Sequence, residues 1–200
     1  MDETEIRQKE FNVFAVKVIN RSIPEALNTL YYNLLNCMTI VADASSIILL
    51  SKIGLLKTTV VEFEIVIPKR VYDEVMAGKV NGRLDALETE KLVIDKKIIT
   101  VDAGTKQKDE VKQISGLFAG ENEVVAYAKN KKLDVLTDDK KCINAAKSFG
   151  LMFMTTLDVV VKFHKKGLIK KYDTIECLNK LENYGWYKHD VLDMYRRMIK

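Results

Sequence analysis

Two hundred residues with 48% apolar content are enough for one sizeable core, and nine Gly, two Pro and no Gly/Ser-rich stretch leave no flexible linker to divide it. The opening Met1-Asp2-Glu3-Thr4-Glu5 lacks the basic and apolar parts of a secretory signal, and no segment reaches the roughly 18 uncharged apolar residues that span a bilayer. The expectation is a cytoplasmic protein with no membrane partner; a net charge of +4 fits a polyanionic partner without demanding one.

Residues 1–38 stand apart as an N-terminal extension. Ser22-Ile23-Pro24-Glu25 has capping-box form and predicts a helix over 23–35, whereas 11–18 fits helix or strand equally. Its apolar residues, Phe11, Phe14, Leu27, Leu30 and Leu34 among them, exceed what a free helix pair exposes, so the extension is expected to pack on the domain or to mediate association. From Thr39 to the end, residues 39–200, strands and helices alternate, the signature of a parallel sheet in one domain. Thr39-Ile40-Val41-Ala42 reads as a strand, with Ser45 or Ser46 capping a helix over 47–53 that stops at Gly54. Residues 64–67 form a second strand, and Pro68 falls in the first turn of a helix that runs through Glu74 to Gly78. Leu92-Val93-Ile94 and residues 98–101 read as short strands or a hairpin. Gly120 opens a helix over 121–130, 134–137 is a strand, a helix over 143–149 closes at Gly150, and a strand over 151–154 precedes C-terminal helices. Cys37, Cys142 and Cys177 have neither CxxC nor zinc spacing and read as reduced, buried thiols.

In open parallel sheets, functional residues gather at the carboxyl ends of strands. Acidic residues fall there repeatedly: Asp43 after the first strand, Asp138 and Asp139 after the 134–137 strand, Glu121 in the first turn of its helix, and Glu74 in the helix after the second strand. Any one of them could be a helix cap or complement a helix dipole. Together they converge, because right-handed connections bring the strand ends to one edge. Two carboxylates about 5 Å apart repel by roughly 3 kcal/mol at an effective dielectric of about 20. Four must hold protons or take a cation. An all-oxygen set with no His or Cys partner favours Mg²⁺ or Mn²⁺, which activate water and stabilise charge on a phosphodiester. Lysine clusters such as Lys129-Asn130-Lys131-Lys132 and Lys140-Lys141 would position the rest of a polyanion.

Val41-Ala42-Asp43-Ala44-Ser45-Ser46-Ile47 resembles the opening motif of PIN-domain nucleases, a hydrophobic strand followed by Asp-x-Ser. Ile67-Pro68-Lys69-Arg70-Val71-Tyr72-Asp73-Glu74-Val75 resembles their second motif, Gly120-Glu121-Asn122-Glu123-Val124 the third, and Leu136-Thr137-Asp138-Asp139 the fourth. The order agrees over residues 39–168, and the Gly-Glu-x-Glu third motif, with the tail over 167–185, is similar to prokaryotic VapC-like members. The resemblance implies a three-layer α/β/α PIN domain with a mainly parallel sheet, here with an N-terminal helical extension. It also implies a site that binds one or two Mg²⁺ or Mn²⁺ ions and hydrolyses RNA.

Carried over by motif, the catalytic metal ligands are Asp43, Glu74, Glu121 and Asp139. Glu121 is favoured over Glu123 by the count back from Ala128, and Asp139 by the Thr-x-Asp pattern, with Asp138 able to contribute from the same loop. The third acid of the family is often Asp, so Glu121 would reach the metal through a longer arm or a water. Ser45 and Thr137 match hydroxyls beside the acids; a role in orienting them and a plain cap or strand-end hydrogen bond are equally economical. Lys69 and Arg70 are candidates for phosphate contact. His164, His189 and the aromatic cluster Tyr184, Trp186 and Tyr187 read as surface or packing.

The leading functional expectation is an endoribonuclease toxin of a VapBC-type pair, a homodimer whose site a protein antitoxin blocks. The alternatives are a housekeeping nuclease of rRNA or tRNA processing, and a non-catalytic RNA- or protein-binding module on the same scaffold. Retention of four mutually repelling acids argues against the last.

Overall fold

The computed structural model describes residues 38–117, 119–184 and 187–199; the expectations for residues 1–37 and for Trp186 lie outside them. Among the described residues a single parallel sheet runs through the molecule. Its strands are β1 (Met38–Ala42), β2 (Phe63–Pro68), β3 (Ile98–Val101), β4 (Asp134–Leu136) and β5 (Phe153–Met154), in the order β3-β2-β1-β4-β5. The inner strands are short runs of aliphatic and β-branched residues, and Ile40, Val41, Ala42, Ile65, Ile67, Val135 and Leu136 are fully buried. That is the pattern of strands covered on both faces.

α1 (Ala44–Lys52) and α2 (Leu56–Glu62) connect β1 to β2, while α3 (Lys69–Met76), a 3₁₀ turn (Ala77–Asn81) and α4 (Leu84–Ile94) connect β2 to β3. α5 (Thr105–Ser115) and α6 (Ala119–Lys131) lead into β4, and α7 (Lys140–Ser148) leads into β5. α8 (Thr156–Lys165), α9 (Lys171–Asn183) and α10 (His189–Arg197) follow. From β1 the sheet grows one way through β2 and β3, and after β3 it grows the other way through β4 and β5. Right-handed crossovers therefore place the first two connections on one face and the next two on the other, giving three layers. The reversal falls between β1 and β4, and their carboxyl ends border the crevice where such sheets carry their sites. Among the described residues no single helix is long and apolar enough to cross a membrane.

Three local expectations are corrected. Leu92-Val93-Ile94 is the last turn of α4 and not a strand: Ala86, Thr89 and Leu92 are buried at helical spacing while Ile94 is exposed. Pro68 ends β2 and caps α3 from outside the helix, its ψ of 152° being extended. The cap of α1 is neither Ser45 nor Ser46 but Asp43, extended at φ −89° and ψ 171°, which accepts from the Ser46 N–H. α1 stops where expected, beside Gly54 at φ 80°, a left-handed turn that glycine adopts without strain.

Candidate active site

The register places Ala42 beside Leu136, so the next residues, Asp43 and Thr137, leave the sheet side by side, and the Asp43 N–H donates to the Leu136 carbonyl at 3.1 Å. Capping α1 holds the Asp43 carboxylate in the crevice. Its Oδ1 accepts from the Ser46 N–H at 2.8 Å and the Ser45 hydroxyl at 2.9 Å, and its Oδ2 accepts from the Thr137 hydroxyl at 2.5 Å. Asp43 is only 3% exposed. Burial pushes its pKa up to about 6; the bonds from Thr137, Ser46 and Ser45 work against that rise, and the nearby Asp138 charge adds to it. Ser45 and Thr137, the two hydroxyls expected beside the acids, thus both donate to Asp43.

Asp139 caps α7, its Oδ1 accepting from the Cys142 N–H at 2.8 Å, and its own N–H donates to Thr137 Oγ1 at 3.2 Å. The buried Cys142 thiol reports on the neighbourhood. Its pKa is raised first by burial, then by the charge of Asp43, and further by Asp139 and Glu121. The charges of three of the four expected acids therefore reach one buried thiol.

Glu74 joins from α3. Its Oε1 accepts from the Gly120 N–H at 3.0 Å and lies 3.4 Å from Arg70 Nε. A Cβ on residue 120 would stand 2.5 Å from Glu74 Oε2, so the carboxylate reaches α6 only because residue 120 is glycine. The Gly-Glu pair thus has a physical reason: glycine admits the second acid and the next residue supplies the third.

The remaining acids do other things. Glu123 is drawn to Lys108 Nζ at 3.1 Å. Asp138 fastens three segments: it accepts from the Ser46 hydroxyl at 2.9 Å, from the Thr156 N–H at 2.8 Å and hydroxyl at 2.5 Å, and from the Tyr187 hydroxyl. Its support of the site runs through Ser46, whose N–H holds Asp43. Ser46, Thr156, Tyr187 and Cys142 were not singled out from the sequence as neighbours of the site. Only Asp138, beside Asp139 in the fourth motif, signalled that such a network exists.

The sequence profile of the PIN domain family matches residues 39–200, the whole alternating region. The chain belongs to the PIN domain family. Among solved structures, it is similar to VapBC2 from Rickettsia felis bound to a DNA fragment from their promoter, at 18% identity and a TM-score of 0.40 over 59% of this chain and 98% of that one. No curated protein sequence matches the chain significantly.

The donor set of this PIN domain suits a hard divalent cation. Asp43, Glu74, Glu121 and Asp139 offer only carboxylate oxygens, and Asp139 commits Oδ1 alone to its cap. The ion pairs among the described residues involve Glu74 and Glu123 but not Asp43, Glu121, Asp138 or Asp139. A buried carboxylate with acidic neighbours and no basic side chain paired to it is what a cation relieves. The acids are not drawn into a closed ligand cage: among the described residues no three His, Cys, Asp or Glu groups are arranged to hold an ion. Asp43, Glu74 and Asp139 instead rest on a nearby hydroxyl, N–H or guanidinium. Mutual repulsion between like charges favours that arrangement.

Proposed function

We propose that this PIN domain is an endoribonuclease dependent on Mg²⁺ or Mn²⁺, with Asp43, Glu74, Glu121 and Asp139 holding the cation. The carrying observation is Asp43, a buried carboxylate held by the Ser45, Ser46 and Thr137 donors at the reversal of the sheet, its carboxyl pushed up to about 6 by that burial. A divalent cation bound there supplies Lewis acidity at a phosphodiester and lowers the pKa of water. The chain's residues do the rest. Ser45 and Thr137 keep their protons on Asp43 Oδ1 and Oδ2 and so aim the carboxylate, while the α1 cap fixes the backbone beneath it. Glu74 is exchangeable between Arg70 and a cation, because Arg70 is half exposed and able to turn away. The Asp138 clasp keeps α1 and α8 at a constant spacing behind the acids.

The motif likeness to VapC-like members extends the proposal to a toxin working in the cytoplasm, as a homodimer, blocked by a protein antitoxin. Incubating the purified chain with total RNA and Mn²⁺, then mapping new 5′ ends, tests the reading. A few discrete internal cuts that vanish with EDTA support it; RNA left intact at millimolar Mn²⁺ removes it.

A further inference from the structure

The two neighbouring carboxylates of the fourth motif differ in what their oxygens have left to give. An ionised carboxylate offers about four lone-pair sites. Asp138 fills all of them: Oδ1 accepts from the Thr156 N–H at 2.8 Å and from the Tyr187 hydroxyl, and Oδ2 accepts from the hydroxyls of Ser46 at 2.9 Å and Thr156 at 2.5 Å. Asp139 accepts on Oδ1 alone, and Asp43 takes two donors on Oδ1 and one on Oδ2. Among the described residues, acceptor sites therefore remain on Asp43 and Asp139 but not on Asp138.

One of the four donors comes from the far end of the chain. Tyr187 lies just ahead of α10, and α10 is itself fastened to the first turn of α8, where the Tyr195 hydroxyl donates to Asp158 Oδ1 at 2.6 Å. Asp158 Oδ2 closes the capping box with Thr155, the residue before Thr156. The C-terminal segment thus grips the start of α8 at two points, one of them the Asp138 carboxylate. Burial, and after it the Asp138 charge, hold the Tyr187 phenol protonated far above its ordinary range, so it stays a donor. Ser46 carries the link onward. Its hydroxyl binds Asp138 Oδ2 while its N–H binds Asp43 Oδ1 at 2.8 Å, so one residue in the first turn of α1 couples the two carboxylates. Hydrogen bonds to a carboxylate are among the strong ones, and a turn of Asp138 toward a cation would break several of them together.

We propose that Asp138 is a positioning residue that stays outside the cation's ligand set, and that Tyr187 completes the clasp that keeps it there. A residue 49 positions away in sequence thereby sets how Asp43 meets the cation. The proposal rests on the reading of Asp43 and Asp139 as cation ligands, but the hydrogen-bond chain from Tyr187 through Asp138 and Ser46 to Asp43 stands without metal.

Calorimetric titration of Mn²⁺ into the full chain tests it. Asp138→Asn and Asp138→Ala lose the same charge, but the amide keeps an oxygen for Thr156 and Tyr187 and turns its N–H groups to the Ser46 and Thr156 hydroxyls, which can accept. Asp138→Asn therefore binds Mn²⁺ at least about tenfold more tightly than Asp138→Ala, and Tyr187→Phe, which changes no charge, binds it about tenfold more weakly than the parent. With RNA, Tyr187→Phe lowers kcat and leaves KM near the parental value, a split that a general loss of fold does not give. Asp138→Asn binding no tighter than Asp138→Ala, or Tyr187→Phe binding Mn²⁺ like the parent, overturns the proposal. Hydrogen exchange in EDTA supplies a readout without metal. Measured against the Val135 amide of β4, the Ser46 amide exchanges about tenfold faster in Tyr187→Phe and Asp138→Ala than in the parent, and at the parental rate in Asp138→Asn. The failures are distinguishable: a parent that binds no Mn²⁺ but shows this exchange order removes the metal reading alone. Mn²⁺ bound by the parent without that order removes this one alone.

Discussion

Replacing Asp43 by Asn should stabilise the protein while abolishing its chemistry. Burial keeps a proton on Asp43 up to about pH 6, against 3.8 for an unperturbed aspartate. Between those two values the folded chain holds more protons than the unfolded chain, so stability falls as pH rises through the window, and the loss is complete above it. A difference of about two pH units corresponds to about 3 kcal/mol at neutral pH. The amide keeps an acceptor for Ser46 and Ser45 but turns a donor toward Thr137 Oγ1, which costs about 1 kcal/mol. The net expectation in EDTA at pH 7.5 is a gain of about 2 kcal/mol, or a Tm higher by roughly 4–8 °C for a chain of this size. At pH 4 the gain disappears, because Asp43 is then neutral as well. Thermal melts of both proteins at the two pH values read this directly. If Asp43→Asn melts below the parent at pH 7.5, or if its advantage is the same at pH 4, the argument that Asp43 is a carboxylate held at a cost is refuted.

Other outcomes follow from the same contacts. Saturating Mn²⁺ at about a hundred times Kd should stabilise the parent by about 2.7 kcal/mol and leave Asp43→Asn unmoved in the same melt. Gly120→Ala drives a methyl group into Glu74 Oε2, at 2.5 Å, so the carboxylate swings away; RNA cleavage should fall about a hundredfold while Tm drops only a few degrees. Tyr187→Phe leaves Asp138 one donor short and should cost about 1.5–3 kcal/mol in chemical denaturation. No change in the denaturation midpoint would mean that the C-terminal segment is not fastened there.

The parts of the fold legible in the sequence are those whose burial leaves no choice. β1, β2 and β4 are β-branched or aliphatic runs with both faces covered, and the acids after β1 and β4 stand out because a charge ends each run. α5 escapes a sequence reading because it is almost wholly polar: only Val111 is buried, so no apolar stripe marks it. The end of α4 misleads because Leu92-Val93-Ile94 has strand composition, and only burial of Ala86 and Thr89 a turn or two earlier reveals the helical period. At the site, Asp43 is legible as an acid and as one possible cap, but the choice of it over Ser45 and Ser46 is not, since all three are good caps on composition. The Asp138 clasp joins residues 18, 49 and 92 positions away in sequence. No local pattern encodes such a contact. Gly120 is visible as a motif letter, but its reason, the approach of Glu74, exists only in three dimensions.

The most direct measurement is cleavage of a defined RNA by the parent and by Asp43→Asn and Asp139→Asn, in Mn²⁺, with circular dichroism confirming the fold of each. The acid centre predicts metal-dependent cutting by the parent and a loss of at least about a hundredfold in both variants. Cutting at the parental rate by either folded variant would contradict it.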